Sequence, residues 1–116
     1  MSMPLPGPND IIHQAVRLKI MAALNAVPKS DLLEFGRLKA ITGATDGNLG
    51  AHLGTLANAG YVKITKDYVG RKPRTRAAMT LLGRRAFEAH VAFLRDILNQ
   101  PPADTAPILK EEETPT

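Results

Sequence analysis

The sequence contains no cysteine, and no apolar run in it is as long as a membrane span. The first absence excludes disulfide frameworks, thiolate metal sites and cysteine nucleophiles. The second excludes a transmembrane helix, which needs about 18 or more mainly apolar residues. The N-terminal segment, MSMPLPGPND, also lacks the positive start and apolar stretch of a secretory signal. We therefore expect a soluble, cytoplasmic protein.

Acidic residues are scarce between Lys63 and Arg85, where eight basic residues stand against one acid, Asp67. The C-terminal segment 99–116 has the opposite balance, with one lysine against four acids. A basic stripe on a small domain favours a polyanionic partner, although a merely solvated surface would have the same composition. The formal net charge of +4 conceals this asymmetry.

The 116 residues leave room for one domain, and a hydrophobic content of 44% is enough for a packed core. Residues 1–8 contain three prolines and a glycine, and residues 99–116 contain four prolines and an acidic cluster. Such compositions are typical of disordered tails. We expect a folded domain at 9–98 between two disordered segments.

A first helix is predicted from Asn9 to about Val27. Apolar residues recur along it at helical spacing in two adjacent rows, which predicts a broad buried face. Asn9 or Asp10 can cap it, because a short side-chain oxygen accepts a free N–H of the first turn. Pro28 stops it.

A second helix is predicted from about Phe35 to Ile41. Gly43 ends it, since a residue without Cβ adopts the left-handed cap conformation at little cost. Residues 31–33 are either the start of this helix or a short extended piece, and the pattern is compatible with both.

A third helix is predicted at about 45–58, with Thr45 as its cap and Gly60 beyond its end. Leu49, Leu53 and Leu56 form its apolar row. Only residues 43–45 separate it from the second helix. A connection this short is typical of the helix-turn-helix, in which the second helix crosses the first at a steep angle.

The period of the pattern changes after residue 60. Residues 61–66 alternate between apolar and polar, which predicts a strand. A basic loop is expected at 67–74, with Gly70 and Pro73 at its tip, and a second strand at 75–80. Two strands placed directly after a helix-turn-helix form a wing. The predicted fold class is therefore mainly α with a small β-hairpin (α+β), a winged helix-turn-helix.

A last helix is predicted at 81–98, with Thr80 as its cap. Its apolar rows cover more surface than one small domain needs to bury, which favours self-association over a simply buried helix. The residues expected to form the dimer contact are Phe87, Val91, Phe93, Leu94, Ile97 and Leu98. Arg84 and Arg85 either pair with acidic groups or face a polyanion, and the sequence does not separate these roles.

Three runs carry a family resemblance: HQAVRLKIMAAL (13–24), TGATDGNLGAHLGTLANAGYV (42–62) and GRKPRTRAAMTLLGRRAF (70–87). They resemble the opening helix, the recognition helix and the wing of small winged-helix transcriptional regulators of the MarR/ArsR type. The resemblance covers about residues 9–98. It implies sequence-directed binding to double-stranded DNA, as a homodimer, in a bacterial or archaeal regulator.

The resemblance also implies which residues contact DNA. The recognition helix, about 45–58, would enter the major groove, and the wing, 66–76, would lie on the backbone or in the minor groove. On the helix the implied contacts are Thr45, Asn48, Gly50, Ala51, His52 and Thr55. On the wing they are Lys66, Arg71, Lys72, Arg74 and Arg76.

The recognition helix departs from this pattern because there is no lysine or arginine from Thr42 to Val62. The commonest base contact, arginine or lysine to guanine, is therefore unavailable from this helix. Asp46, near its start, would oppose a phosphate. We expect modest base readout and a large phosphate contribution. Thr45 has a plain structural role as a cap.

Catalysis and metal binding find little support. No nucleophile, base and orienting group occur in a recognisable arrangement, and the three histidines lack metal-ligand spacing. We expect no enzyme activity, no cofactor and no metal. The alternative to DNA binding is a winged helix used as a protein-interaction module, which the uncharged recognition helix favours and the basic wing disfavours.

Overall fold

A computed structural model describes residues 9–28 and 31–100. The predicted tail at 1–8 and all but two residues of the tail at 99–116 lie outside the described residues. The elements in chain order are α1 (Ala15–Asn25), β1 (Leu33–Glu34), α2 (Phe35–Thr42), α3 (Asp46–Asn58), β2 (Val62–Val69), β3 (Lys72–Met79) and α4 (Leu81–Leu98). This order of helices and strands confirms the predicted α+β winged-helix fold.

The chain enters α1 six residues later than the sequence predicts. Asn9 does act as a cap, but of a separate turn, because its Oδ1 accepts from the N–H groups of Ile11 and Ile12 at 3.0 Å. Gln14 caps α1 itself, where its Oε1 accepts from the N–H of Arg17 at 2.9 Å. The helix also ends at Asn25, before the predicted Val27.

Helices α2 and α3 form the helix-turn-helix. Gly43 closes α2 with a φ of 72°, the left-handed conformation that glycine adopts most easily. Thr45 then caps α3, where its Oγ1 accepts from the N–H of Asn48 at 3.2 Å. The open question at residues 31–33 is resolved by β1, a strand of two residues.

The sheet has the order β1-β3-β2 with antiparallel pairing throughout. β2 pairs with β3 over all eight residues of each strand, from Val62 opposite Met79 to Val69 opposite Lys72. Side chains alternate between the two faces of a strand. The face of Val62 and Ile64 therefore covers the core, and the face of Lys63 and Thr65 is turned away from it.

One hydrophobic core joins the helices to the sheet. Its buried members are Ile12, Ile20, Met21, Leu24, Leu38, Leu49, Leu53, Leu56, Val62, Ala77 and Phe87. Thr80 connects the end of the sheet to α4, since its hydroxyl donates to the carbonyl of Gly60 at 2.6 Å and accepts from the N–H of Gly83 at 2.9 Å. Burial of these apolar side chains orients α3 and fixes which of its faces points outward.

Candidate nucleic-acid interface

Helix α3 presents a polar and small-residue face away from the core. Leu49, Leu53 and Leu56 are at most 2% exposed and hold the opposite face against the protein. The residues left exposed by this orientation include Asn48, Gly50, Ala51 and Thr55, which are four of the predicted contacts. Such a face is convex and can enter a groove that admits an α-helix.

Two of the predicted contacts on α3 have duties inside the protein. Thr45 caps the helix, so that its side-chain oxygen is occupied by an N–H group. Thr55 donates its hydroxyl to the carbonyl of Ala51 at 3.2 Å, and its oxygen remains able to accept a second bond. The cap role that the sequence assigns to Thr45 is confirmed.

The acid at the start of α3 is paired. Lys39 of α2 places its Nζ 2.8 Å from Oδ1 of Asp46, and both side chains are about half exposed or more, at 48% and 73%. The positive charge of Lys39 offsets the negative charge of Asp46, which would otherwise repel a phosphate at the start of α3. The pair is exposed, so that salt screens it and it contributes little to folding stability.

A cation that is not among the predicted DNA contacts lies beside α3. Arg17, in α1, places its Nη1 2.9 Å from Nδ1 of His52. Both side chains are half-buried. Arg17 is 35 positions away from His52 in the chain, so only the packing of α1 against α3 brings the two together. The flank of α3 therefore has a positive charge, although α3 itself has none.

The wing is a long hairpin and not two short strands around a loop. Strands β2 and β3 extend through most of the predicted loop at 67–74, and the turn consists of Gly70 and Arg71 alone. Gly70 has a φ of 64° and Arg71 does not have a positive φ, the combination found in a type II′ hairpin turn. Pro73 therefore lies in β3, opposite Tyr68, and not at the tip.

Pro73 is tolerated in β3 although that strand lies in the middle of the sheet. β1 pairs only with Arg76 and Ala77 of β3. At residue 73, therefore, β2 is the only described strand beside β3. A proline lacks the N–H that a second neighbour would require. The basic and proline-containing composition of 67–74 therefore concealed a strand.

Two of the predicted wing contacts are bound to an acid within the hairpin. Arg74 donates from Nε and Nη2 to the two carboxylate oxygens of Asp67 at 2.8 Å, and Arg76 donates from Nη2 to Oδ2 at 3.0 Å. The hydrogen bonds from Arg74, with the charges of both arginines, lower the pKa of Asp67 to about 2. These three groups together carry only one net charge, so Arg74 and Arg76 offer less charge to a partner than two unpaired arginines would.

The same two arginines also lie on the sheet face turned away from α3. In the strand register Arg74 lies opposite Asp67 and Arg76 lies opposite Thr65, so these four side chains share one face of the hairpin. Ile64 and Lys66 alternate with Thr65 and Asp67 along β2 and therefore lie on the opposite face. Lys66 shares a depression of about 240 Å³ with Gly50 of α3. Alternation along the strands therefore separates the wing cations into two groups.

Two of the remaining predicted cations lie at the end of the wing. Arg71 belongs to the turn and Lys72 follows it, and both side chains are exposed. Within residues 9–28 and 31–100, neither of them forms an ion pair, and neither does Lys66. These three are therefore the predicted wing contacts whose charge is free to meet a partner. Arg84, whose role the sequence left open, donates instead to Oδ1 of Asn25 at 2.7 Å.

The predicted dimer residues on α4 are divided between the core and the surface. Phe87 is only 7% exposed and belongs to the core, which leaves little of its surface for a dimer contact, and Val91 packs against the same core. Phe93 and Leu94 are half-buried. Ile97 and Leu98 are 49% and 80% exposed, which leaves an apolar surface at the end of the helix.

The sequence placed His13 and His90 on separate elements, and the fold brings their rings together. Nδ1 of His13 lies 3.4 Å from Nε2 of His90, while Nδ1 of His90 accepts from the N–H of Asn9 at 3.2 Å. Burial, and then the nearby His13, lower the pKa of His90. In the described part of the chain, no group of three or more histidine or acidic side chains is arranged to hold a metal.

None of the helices that the structure describes is long and apolar enough to cross a membrane.

Among known proteins, an uncharacterized protein of Methanocaldococcus jannaschii is similar in sequence. It is 35% identical over 81 residues, which span 70% of this chain and 85% of that protein.

Solved structures show the same architecture. A transcriptional regulator homologue of Pyrococcus horikoshii superposes with a TM-score of 0.69 at 28% identity, over 78% of this chain and 86% of that one. A MarR family transcriptional regulator of Silicibacter pomeroyi has a TM-score of 0.60 at 16% identity, over 90% of this chain and 74% of that one, a likeness of fold.

The family of winged helix DNA-binding domains matches residues 16–98, which include every described helix and strand from the body of α1 to the end of α4. This is a family of DNA-binding domains and not of enzymes. It agrees with the helix-turn-helix, the hairpin and the exposed face of α3 described above. The chain belongs to the winged-helix DNA-binding family.

Proposed function

We propose that this protein is a prokaryotic transcriptional regulator that acts in the cytoplasm and binds double-stranded DNA in a sequence-directed manner as a homodimer. The observation that carries the proposal is the exposed face of α3, which has a cation on either side. Arg17 lies on one flank and Lys66 on the other, beside Gly50, and neither pairs with an acid of the described residues. A neutral helix between positive flanks is suited to a groove whose two edges are phosphate backbones.

In this arrangement α3 lies in the major groove. Asn48 supplies an amide that can pair with adenine, and Gly50 and Ala51 allow the backbone to approach the base edges. Thr55 and His52 add polar contacts. Base readout is modest because α3 has no arginine or lysine, so most of the affinity comes from phosphate contacts.

The wing supplies those phosphate contacts. Arg71 and Lys72 at its end, together with Lys66 beside α3, bind the backbone or enter the adjacent minor groove. Arg74 and Arg76 contribute less, because Asp67 already offsets part of their charge. Contact with a phosphate releases counterions from DNA, and this release favours binding at low salt.

The homodimer forms through the end of α4. Ile97 and Leu98 are exposed there, and Phe93 and Leu94 are half-buried beside them. An apolar surface of this kind is normally covered in solution, and a second copy of the helix would cover it. Two α3 helices would then meet successive major grooves about one helical turn apart.

The proposal is tested by measuring the affinity for a random-sequence duplex as the salt concentration rises. Each phosphate that the protein neutralises adds about 0.9 to the slope of log K against log salt. Arg71→Ala and Lys72→Ala should each reduce that slope by about 0.9 for each protomer bound, and so by about 1.8 for the dimer, because each removes the cation that neutralises one phosphate per protomer. Lys19→Ala, in α1, removes an exposed cation outside the wing and outside the proposed dimer contact, and should leave the slope unchanged.

Two results would contradict the proposal. Absence of duplex binding at physiological salt would favour a winged helix that binds proteins instead. A slope that falls equally in all three variants would mean that the wing has no special role. Sedimentation of the same samples should give the mass of a dimer, and a monomer at micromolar concentration would overturn the homodimer.

A further inference from the structure

Arg17 is held at two points between the start of the chain and α3. Its Nε donates to the carbonyl oxygen of Ile11, and its Nη1 lies 2.9 Å from Nδ1 of His52. Of the acids that the structure describes, none forms an ion pair with Arg17. The guanidinium is thus fixed by neutral acceptors, and its geometry relative to α3 is defined by the fold.

This contact determines where the proton of His52 lies. A guanidinium only donates hydrogen bonds, so Nδ1 of His52 must be the acceptor and must have no proton. A neutral imidazole has one N–H, which then lies on Nε2. The tautomer of a histidine is commonly set in this way, by the bond that the other ring nitrogen makes.

Within the described residues, the hydrogen bond of the His52 ring is the one at Nδ1. The Nε2–H of the same ring therefore has no acceptor among those residues. The side chain is half-buried and comes from the same flank of α3 as Asn48, four residues earlier. A donor in this position can bond an acceptor supplied from outside the protein.

We propose that Arg17 is a positioning residue that keeps His52 as an Nε2–H donor, and that this donor binds a hydrogen-bond acceptor of duplex DNA. The acceptor is N7 of a purine in the major groove or an oxygen of a phosphate, which offer the same chemistry. The DNA part of this inference rests on the proposed function. The tautomer part rests on the protein alone.

The tautomer is tested first, on the full chain without DNA. Nitrogen NMR of the histidine rings should show His52 with its proton on Nε2. In Arg17→Met, which keeps an apolar stem and removes the donor, both tautomers should be populated. A wild-type ring with the proton on Nδ1 would overturn the inference.

The role in binding is tested with a 30-base-pair duplex that the protein selects from a random-sequence pool. His52→Ala should weaken binding about tenfold to a hundredfold, because each of the two protomers loses one neutral hydrogen bond, which is usually worth about threefold to tenfold. His52→Gln should stay close to wild type, because its amide nitrogen replaces the Nε2–H donor without needing a partner at Nδ1.

The two substitutions combined separate positioning from direct contact. If Arg17 acts through His52, Arg17→Met weakens binding more in the wild-type background than in the His52→Gln background, and the difference measures the coupling between the two residues. Any loss that remains in the His52→Gln background is the contribution of the Arg17 charge on this flank of α3. An equal weakening in both backgrounds would show that Arg17 acts independently of His52 and would overturn the inference.

Replacement of purines by their 7-deaza analogues distinguishes the two acceptors. A larger fall in affinity for wild type than for His52→Ala identifies a purine N7, because a contact of Asn48 with N7 would lower the affinity of both proteins alike. An equal change in affinity for the two proteins identifies a phosphate oxygen. If the wild-type protein selects no duplex at all, the proposed function fails and the DNA part of this inference is wrong with it, whereas the NMR result still decides the tautomer.

Discussion

Helices α3 and α4 both contain glycine, but the surroundings of the glycines differ. A Cβ at Gly83 of α4 would overlap the carbonyl oxygen of Tyr61 and lie 2.9 Å from its Cα. A Cβ at Gly47, Gly50 or Gly54 of α3 would have no atom within 4 Å apart from its chain neighbours and the nearby backbone of its own helix. Each glycine inside a helix costs about 0.5–1 kcal/mol relative to alanine. The fold explains this cost in α4 and does not explain it in α3.

The difference indicates what each helix serves. α4 approaches Tyr61, in the connection between α3 and β2, so closely that only glycine fits, which makes Gly83 a requirement of folding. α3 keeps three glycines that its own protein does not need, on or beside its outward face. Small residues there suit a partner that comes near the backbone, as the floor of a DNA groove does in the proposed complex.

The largest effect is expected at Gly83. Gly83→Ala should lower the free energy of unfolding by about 3 kcal/mol or more, because the new methyl group meets backbone atoms that cannot turn aside. Denaturant unfolding measures this change. Gly36→Ala in α2, where a Cβ meets no atom within 4 Å, is the control and should slightly stabilise the protein. Equal midpoints for Gly83→Ala and wild type would contradict the close packing of α4 on Tyr61.

Gly50→Ala should have a smaller effect, with opposite signs for folding and for binding. Folding should gain up to about 1 kcal/mol, since alanine restricts the unfolded chain and favours the helix. Affinity for duplex DNA should fall, because the methyl group projects from the face proposed to enter the groove. Unfolding and gel-shift measurements on one preparation give both values. A stabilised variant that binds DNA as well as wild type would show that this part of α3 does not approach DNA.

The smallest effect concerns pH and a second buried contact of α4. His90 is 1% exposed, and its burial and the neighbouring His13 hold its pKa below the ordinary 6.5. As the pH falls through 6.5, the unfolded chain binds a proton before the folded chain does. The contribution of His90 to the free energy of unfolding should therefore be complete above pH 6.5. It should decrease as the pH falls from 6.5 toward the lowered pKa, and it should not change further below that pKa.

The groups that face His90 are His13 and the backbone N–H of Asn9, whose side chain donates to the hydroxyl of Tyr61. Denaturant unfolding between pH 5 and 8 measures the effect, well above the range in which Asp67 titrates. His90→Gln should have a shallower dependence of stability on pH. The same dependence in both proteins would mean that His90 is not the group responsible.

Much of the fold could be predicted from local signals. Gly43, Thr45 and Thr80 act over one or two turns of chain, and each is found at the helix boundary where its chemistry predicts it. The long hairpin was less accessible, because a proline and several cations are usually found in loops. The two-residue turn at Gly70 and Arg71 was the available signal, since it alone fixes which residues of the two strands face each other.

The candidate site was less predictable, because its decisive contacts join distant parts of the chain. Nothing near Arg17 in the sequence indicates that it meets His52 across the packing of two helices. The pairing of Asp67 with Arg74 and Arg76 depends on strand register, which the predicted loop left undefined. The sequence places Phe87 in an apolar row of α4 that could face either the core or a second copy of the protein. Only the packed structure shows that Phe87 faces the core.

The unbroken pairing of the wing limits how its length can change during evolution. A residue added to each strand would turn over every side chain beyond it, so that Lys66 and Asp67 would exchange sides. Two residues added to each strand would keep the sides and carry the turn outward by about 7 Å. Relatives that use the wing as proposed should thus differ in its reach by even steps, with the free lysine always on the side of α3 and the acid on the other side.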